Sequence, residues 1–334
     1  MDTETCKIVR FHETGSADVL TLEECPIPEP QKDELRIKVE AIGINRADIM
    51  FREGQYLENP ECPSRLGYEA AGVVTAVGPN INTFNIGDRV STIPSFSQGQ
   101  YGVYGESAIV PVHAVTSYPD SLSSTEGAAI WMQYLTAYGG LIKVGGLTAN
   151  DYVMITAASS SVGLAAIQIA KLTGAKVIAV TRGNAKKQFL LDAGANDVIV
   201  TDEQNLVDKV MEISDGHGAD LIFDPVGGPL LQQLADAAAT GGTIIEYGAL
   251  ATEATPYPLF SVLSKSLTIR GYLLFEITLN PERLQEAKDY IGEGLLSGNL
   301  KPIIDRTFSL DNIAEAHRYM ESNHQQGKIV VTVS

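Results

Sequence analysis

The chain predicts an α/β fold in two parts, a small irregular β domain and a six-stranded doubly wound parallel sheet. Two patterns and one unit carry this prediction. Through residue 120, short apolar runs at 7–11, 19–24, 34–42, 72–77, 89–93 and 106–110 are separated by turn chemistry: Pro26, Pro28, Pro30, Gly78-Pro79 and Gly87-Asp88. From about Ser123, strand-like runs alternate with helical stretches, the pattern of a parallel sheet. Within that second pattern stands a strand-turn-helix unit, Tyr152-Val-Met-Ile-Thr-Ala-Ala-Ser-Ser-Ser-Val-Gly163, in which a buried strand meets a turn of small residues and an apolar helix.

The elements follow in order. One helical stretch at 46–52 interrupts the early strands. Strands are expected at 152–157, 174–182, 197–200, 219–223, 242–247 and 267–270, with helices at 186–192, 205–214 and 229–238 between them. Six such strands complete a doubly wound unit. A helix at 281–296 and an apolar closing strand at 328–333 follow. That strand needs a sheet to join and is expected to return to the first domain. The resulting domains are 1–124, 125–273 and a returning segment, 274–334. No internal repeat or low-complexity tract is present.

Length and composition bound the class. A chain of 334 residues with 44% apolar residues and 31 glycines is an ordinary globular protein of two domains. No apolar run reaches the roughly 20 residues that span a bilayer, and the N-terminus, Met-Asp-Thr-Glu-Thr, lacks the basic and apolar regions of a secretory signal. Three dispersed cysteines argue for a reducing, cytoplasmic location. The net charge of −17 repels nucleic acid and anionic membrane, so neither is an expected partner.

The strand-turn-helix unit is half of a dinucleotide-binding fold: small residues let the backbone approach a pyrophosphate, and the helix N-terminus offers free N–H groups to it. Ser159, Ser160 and Ser161 stand where glycines are common, and an ordinary βαβ crossover is the plainer alternative. The next strand ends Thr181-Arg182-Gly-Asn-Ala-Lys186-Lys187. An NAD site places a carboxylate there for the ribose 2′-hydroxyl, whereas a guanidinium and an ammonium suit a 2′-phosphate. The cofactor expected is therefore NADPH, with Lys187 facing water.

Asn45-Arg-Ala-Asp48, Arg52-Glu-Gly54-Gln-Tyr56, Leu66-Gly67-Tyr68-Glu69, Gly87-Asp88-Arg89-Val90 and Thr136-Ala-Tyr138 fall in an order and spacing that resembles the medium-chain dehydrogenase/reductase superfamily, in its zinc-free quinone oxidoreductase (zeta-crystallin-like) branch. The resemblance runs from about residue 6 to the end. It implies a GroES-like catalytic domain, a Rossmann NADPH domain, and a cofactor in the cleft between them. Zinc-dependent members carry a Cys where this chain has Asn45 and a His where it has Tyr68. Residues 91–106 lack the cysteines of the structural zinc lobe, so no metal is expected. His12, His113, His217, His317 and His324 are scattered and read as surface or packing residues.

Without a Lewis acid, simple ketones are poor substrates, but a quinone or conjugated enone spreads the developing charge onto oxygen. The resemblance therefore implies hydride transfer from NADPH to a small-molecule quinone or activated alkene. Tyr56 lies where enoyl-thioester reductases of the superfamily carry a proton-donating tyrosine. Packing at the cleft mouth is its plainer role. Asn45 is read as a donor to a carbonyl or to the nicotinamide ribose, and Asp48 as a helix-turn carboxylate or a cofactor contact. Met50, Tyr56 and Tyr68 line the expected substrate pocket. For the cofactor, the backbone of Ser160, Ser161 and Val162 is assigned to the pyrophosphate, and Thr181, Arg182 and Lys186 to the 2′-phosphate side. Gln133 and Thr136 are assigned to the nicotinamide ribose and phosphate. Gly248, Ala249, Phe275 and Lys328 complete the set. An enoyl-thioester reductase and a catalytically silent NADPH-binding relative are the alternatives. Strand 267–270 would leave an open edge, and relatives pair across it, so a homodimer is expected.

Overall fold

The computed structural model describes residues 4–334, and residues 1–3 of the N-terminus discussed above lie outside the described residues. The chain divides into two units, one running from the N-terminus to Met132 together with Pro302–Ser334, the other Gln133–Lys301.

The first unit is built around the long strand Glu34–Gly43. One side of it pairs with Glu69–Val77, which continues to Arg89–Thr92 and Val115–Thr116. The other side is shared: residues 34–38 pair with Ser107–Pro111, while residues 41–43 pair antiparallel with the closing strand Lys328–Thr332. The C-terminal strand thus returns to the first sheet, as its apolar character requires, and carries Ile304–Ser309 parallel to it on the outside. Irregular register between Glu34–Gly43 and Glu69–Val77 brings the backbones close at Gly72, where a Cβ would stand 2.0 Å from the Lys38 carbonyl oxygen. A side chain there would push the two backbones apart, which explains the glycine. A separate hairpin, Thr5–Arg10 with Thr21–Pro26, lies beside this sheet.

The second unit is a six-stranded parallel sheet in the order Asp197–Val200, Lys176–Thr181, Tyr152–Ile155, Ala219–Asp224, Ala238–Glu246, Thr268–Gly271. In chain order this is 3-2-1-4-5-6. Its direction of winding reverses between Tyr152–Ile155 and Ala219–Asp224, where doubly wound sheets bind ligands at their carboxyl ends. The strands are near-continuous apolar runs because helices cover both faces. Met154, Ile178, Ile199, Ile222 and Ile244 pack with Leu231 and Leu234 in its core. Among the described residues no strand covers the outer edge of Thr268–Gly271, and Leu259, Phe260 and Leu263 of the preceding helix are exposed. This is the edge expected to pair in a homodimer.

The division falls at 132/133 and 301/302, not at 124/125 and 273/274. Helix Pro281–Leu296, grouped by the sequence with the returning segment, lies in the second unit. The Tyr290 ring lies tilted against Tyr138 with centroids 4.9 Å apart, Glu286 pairs with Lys143, and Gly294 closes against Leu300. Several elements have no counterpart in the sequence pattern, among them strand Ile304–Ser309 and helix Ile313–Glu321. Strand Ile304–Ser309 is too polar to show a clear alternation. Helix Ile313–Glu321 buries Ile313, Ala316, His317 and Met320 on one face.

Candidate functional site

In the first unit the predicted residues converge on a buried polar network. Asn45 lies just beyond strand Glu34–Gly43 and precedes helix Arg46–Arg52, and its backbone N–H donates to the Asp48 carboxylate at 2.9 Å, closing the first turn. Its side-chain amide gives one bond to the Gly43 carbonyl and one to Glu69 Oε2, both at 3.1 Å. The Asn45 amide oxygen accepts from Lys328 Nζ at 2.7 Å, and Lys328 also pairs with Glu69. Glu69 Oε1 in turn accepts from the Met132 backbone N–H at 2.8 Å. Lys328 and Glu69 are buried, with side-chain exposures of 0% and 1%. Both amide hydrogens of Asn45 are thus committed within the protein, and two of the three ammonium hydrogens of Lys328 as well. In this geometry Asn45 anchors Glu69 and Lys328 and is not poised to donate to a substrate carbonyl.

A second chain of hydrogen bonds starts at Asp48. Arg52 Nη1 lies 3.0 Å from His317 Nδ1, His317 Nε2 lies 3.2 Å from the Tyr104 hydroxyl, and that hydroxyl donates to Asp48 Oδ2 at 2.9 Å. A guanidinium can only donate, so His317 Nδ1 accepts and its proton sits on Nε2. Nε2–H then donates to Tyr104, which fixes the Tyr104 proton toward Asp48. Burial, then the Arg52 charge, holds His317 neutral, with its pKa lowered to about 3. Burial pushes the Asp48 carboxyl up to about 7, against the pull of Tyr104, Asn45 and Lys328. Asp48 Oδ1 is buried without a hydrogen-bond partner. Arg52 itself is buried and bonds Gly15 O, Glu53 and Glu321. Gly67 makes room for this arrangement: its φ is +97°, and a Cβ would meet the Tyr104 ring at 2.2 Å.

Tyr56 and Tyr68 belong to an aromatic row. Tyr56 meets Tyr68 edge-on at 6.4 Å, Tyr68 lies 5.6 Å from Phe96, and Phe96 lies 6.3 Å from Tyr101. Tyr56 is half-buried, and burial raises its pKa, while a hydrogen bond from Tyr68 lowers it. Burial and the bond to Tyr56 push Tyr68 well up. Met50, on helix Arg46–Arg52, is likewise half-buried.

In the second unit, the turn after Tyr152–Ile155 holds Ala157 at φ +44°. The Ser160 N–H closes on Ala157 O at 2.9 Å, and the Ser160 hydroxyl caps the Gly163 N–H at 3.0 Å. Of the three assigned pyrophosphate donors, Ser160 therefore uses its N–H inside the turn. Ser161 and Val162, the first two residues of helix Ser161–Thr173, have no intrahelical acceptor by position. Gly163 is required by close approach, since a Cβ there would lie 2.5 Å from the Ala158 carbonyl oxygen. Lys186 Nζ donates to Ser159 Oγ at 3.0 Å, which brings an ammonium to the turn, and Arg182 is exposed at the end of the next strand. Thr181 and Thr136 are buried, Gly248 and Ala249 are exposed just beyond Ala238–Glu246, and Phe275 opens a short helix. Gln133 is buried with Oε1 unpartnered, an acceptor awaiting a donor. A bare helix start, a small-residue turn, a lysine over it and an orphaned buried amide oxygen fit a nicotinamide dinucleotide.

Sequence reasoning passed over Glu69, Tyr104, His317 and Arg52 as a network, and the pair Asp224 and Glu246. Asp224 ends its strand beside Glu246, accepts from Thr156 and from the Gly227 N–H at 2.7 Å, and both carboxyls are pushed up, first by burial. Local periodicity carries no signal for residues up to 265 positions apart, such as Arg52 and His317.

Comparison with known proteins agrees with this architecture. The alcohol dehydrogenase GroES-like domain family matches residues 31–120, and the zinc-binding dehydrogenase family matches residues 161–292. Human quinone oxidoreductase is 33% identical over 328 residues, covering 97% of each chain. The solved structure of Escherichia coli quinone oxidoreductase complexed with NADPH superposes with TM-score 0.90 at 29% identity, covering 98% of this chain and 99% of that one. An NAD-dependent alcohol dehydrogenase superposes with TM-score 0.91 at 29% identity over 98% of this chain and all of that one. A GroES-like domain joined to a 3-2-1-4-5-6 nucleotide-binding sheet defines a medium-chain oxidoreductase. The chain belongs to the zinc-free, quinone oxidoreductase-type branch of the medium-chain dehydrogenase/reductase superfamily. Among the described residues no helix is long and apolar enough to cross a membrane.

The Asp48 carboxyl makes stability depend on pH in a defined direction. Below about pH 4 folded and unfolded chains both carry its proton. Between 4 and 7 the folded state retains a proton the unfolded state has released, so stability falls as pH rises, and above 7 the cost is constant. Relative to Asp48→Asn, the unaltered protein should lose up to about 4 kcal/mol between pH 4 and pH 7.5 in urea unfolding. A difference between the two proteins that does not change with pH would show that Asp48 does not titrate in this window.

Proposed function

We propose that the protein uses NADPH to reduce a quinone or an activated alkene, without a metal. The observation that carries this is Tyr56: a half-buried phenol set edge-on to Tyr68, in a row of aromatic rings suited to a flat conjugated substrate. The positions that hold zinc in relatives carry Asn45, whose amide is fully engaged, and Tyr68, an oxygen donor of the wrong type. When bound, the reduced nicotinamide supplies the hydride. The chain's part is to hold the electron-accepting oxygen, and Tyr56 gives that oxygen a hydrogen bond and, for an enolate, a proton. Asn45, Glu69 and Lys328 fix the backbone from which helix Arg46–Arg52 and Met50 project.

Tyr56→Phe removes only the hydroxyl. Turnover should fall roughly 10- to 1000-fold with alkenals and less with 1,4-quinones, whose reduced forms take their proton from water. The measurement is NADPH oxidation against 1,4-quinones, alkenals and enoyl-CoA. Fastest turnover of enoyl-CoA would favour the enoyl-thioester reading, and no turnover of any acceptor would favour a binding protein. An unchanged rate in Tyr56→Phe would reduce the tyrosine to packing.

The preference for NADPH rests on Arg182 and on Lys186 at the turn, with no carboxylate in the place that meets a ribose 2′-hydroxyl. Each charge-assisted contact contributes about 1.5–3 kcal/mol. Replacing both residues with Ala should raise the Kd for NADPH by at least about 100-fold and leave that for NADH nearly unchanged. Equal Kd values for the two cofactors in the unaltered protein would contradict the assignment.

A further inference from the structure

The N-terminal hairpin places two of the three cysteines face to face. In the antiparallel pair of Thr5–Arg10 with Thr21–Pro26, Cys6 is the register partner of Cys25. Ile27 N–H donates to Glu4 O at 3.0 Å, which makes Glu4 and Ile27 a hydrogen-bonded pair. The next position, Thr5 opposite Pro26, is a non-hydrogen-bonded pair, as the proline nitrogen requires, so Cys6 and Cys25 form a hydrogen-bonded pair again. In such pairs the Cα atoms stand about 5.5 Å apart, within the 4.4–6.8 Å range of disulfides. The Cβ atoms, about 5.5 Å apart, must close by roughly 1 Å to reach the 3.5–4.5 Å of a disulfide, so closure draws the two strands together. Directly opposed residues of an antiparallel pair project from the same face. Cys6 and Cys25 accordingly share one apolar cluster with Ile8, against which Ile27 packs, and are 5% and 9% exposed. Cys62, by contrast, is exposed.

We propose that Cys6 and Cys25 are a reversible redox pair that closes into a cross-strand disulfide when the protein meets a peroxide. One thiolate attacks a peroxide oxygen, the O–O bond breaks, and hydroxide leaves as water with the proton of the thiol, giving a sulfenic acid. The second thiolate attacks that sulfur, the S–S bond forms, and the sulfenic oxygen leaves as a second water. Two thiols and one hydrogen peroxide become one disulfide and two waters, and the two electrons lost by sulfur reduce the peroxide. A dithiol reductant reverses the change. In a reducing compartment the thiols are the resting form, in keeping with the free cysteines of the structure.

The surroundings set the rate. Burial, then the Glu106 carboxylate, push the Cys6 thiol up, with smaller upward effects of Cys25 and Glu24 and an opposing one of Arg65. Thiolate is therefore scarce at neutral pH, and closure is slow there and faster at alkaline pH. The hairpin also backs the functional unit. Val9 N–H donates to Tyr104 O at 2.9 Å, and Glu106 N–H donates to Lys7 O at 2.8 Å, so the cross-link ties down the strand that supports the Tyr104–Glu106 segment.

The test uses the full-length Cys62→Ser protein, treated with hydrogen peroxide at pH 8.5 and then denatured for thiol titration and mass measurement. Two titratable thiols per chain should fall to none with a loss of about 2 Da. A peptide joining Cys6 to Cys25 should appear, dithiothreitol should restore both thiols, and the oxidised protein should melt several degrees higher than the reduced one. Peptide mapping of the unaltered chain reads the same cross-link if the variant does not fold. Cys25→Ser added to Cys62→Ser should abolish the mass loss. Thiols that survive, mass gains of about 32 Da from isolated sulfinic acids, or disulfides only between chains would each overturn the proposal.

Discussion

Lys328 lies at the start of the closing strand with no exposed side-chain surface, its ammonium divided between the Glu69 carboxylate and the Asn45 amide oxygen. Three distant stretches of chain meet at that point: the end of Glu34–Gly43, the start of Glu69–Val77 and the C-terminal strand. An ammonium out of water costs several kcal/mol unless paired and hydrogen-bonded, so the three stretches are held in one arrangement by the requirement to satisfy it. Gly43 is part of the same constraint, because a Cβ there would lie 2.8 Å from Lys328 Cε and 2.1 Å from Ala128 O. The returning tail thus completes the polar interior of the unit that carries Tyr56.

That interior also explains how a medium-chain oxidoreductase arranges its catalytic unit around the positions that hold metal in zinc-dependent relatives. Those relatives organise side chains around a cation bound by Cys and His. Here a protein ammonium supplies the positive charge, Glu69 and Asn45 surround it, and Asp48, Tyr104 and His317 extend the network with a defined direction of hydrogen bonds. The ammonium is not a Lewis acid open to substrate, because it is buried and bonded. On the proposed function, this arrangement would serve acceptors that need no metal to stabilise the developing charge, with the half-buried Tyr56 hydroxyl as the proposed donor.

Much of this was legible in the sequence. The serine-rich turn, its helix and the six parallel strands follow from apolar runs of strand length alternating with helical stretches, and the chain order 3-2-1-4-5-6 realises that pattern. Leu66-Gly67-Tyr68-Glu69 was recognisable as a motif, but its physical content was not. Gly67 is required by the ring of Tyr104, and Glu69 by the charge of Lys328, both remote in the chain. The sequence reading offered Asn45 as a donor because an amide at a vacated ligand position suggests one. In the folded protein its hydrogens go to Gly43 and Glu69. His317 read as packing, whereas it links Arg52 to Tyr104. Composition registers the presence of such groups, and tertiary structure alone brings them together.

The buried ammonium is tested most directly by a double-mutant cycle on Lys328 and Glu69, read by urea unfolding at pH 7. Lys328→Met alone leaves the Glu69 carboxylate uncompensated and should cost about 3–5 kcal/mol. Adding Glu69→Gln removes that charge, so the double variant should be distinctly more stable than the sum of the single losses implies. The coupling should exceed about 1 kcal/mol. Single costs that simply add, within about 0.5 kcal/mol, would show that the pair does not organise this unit.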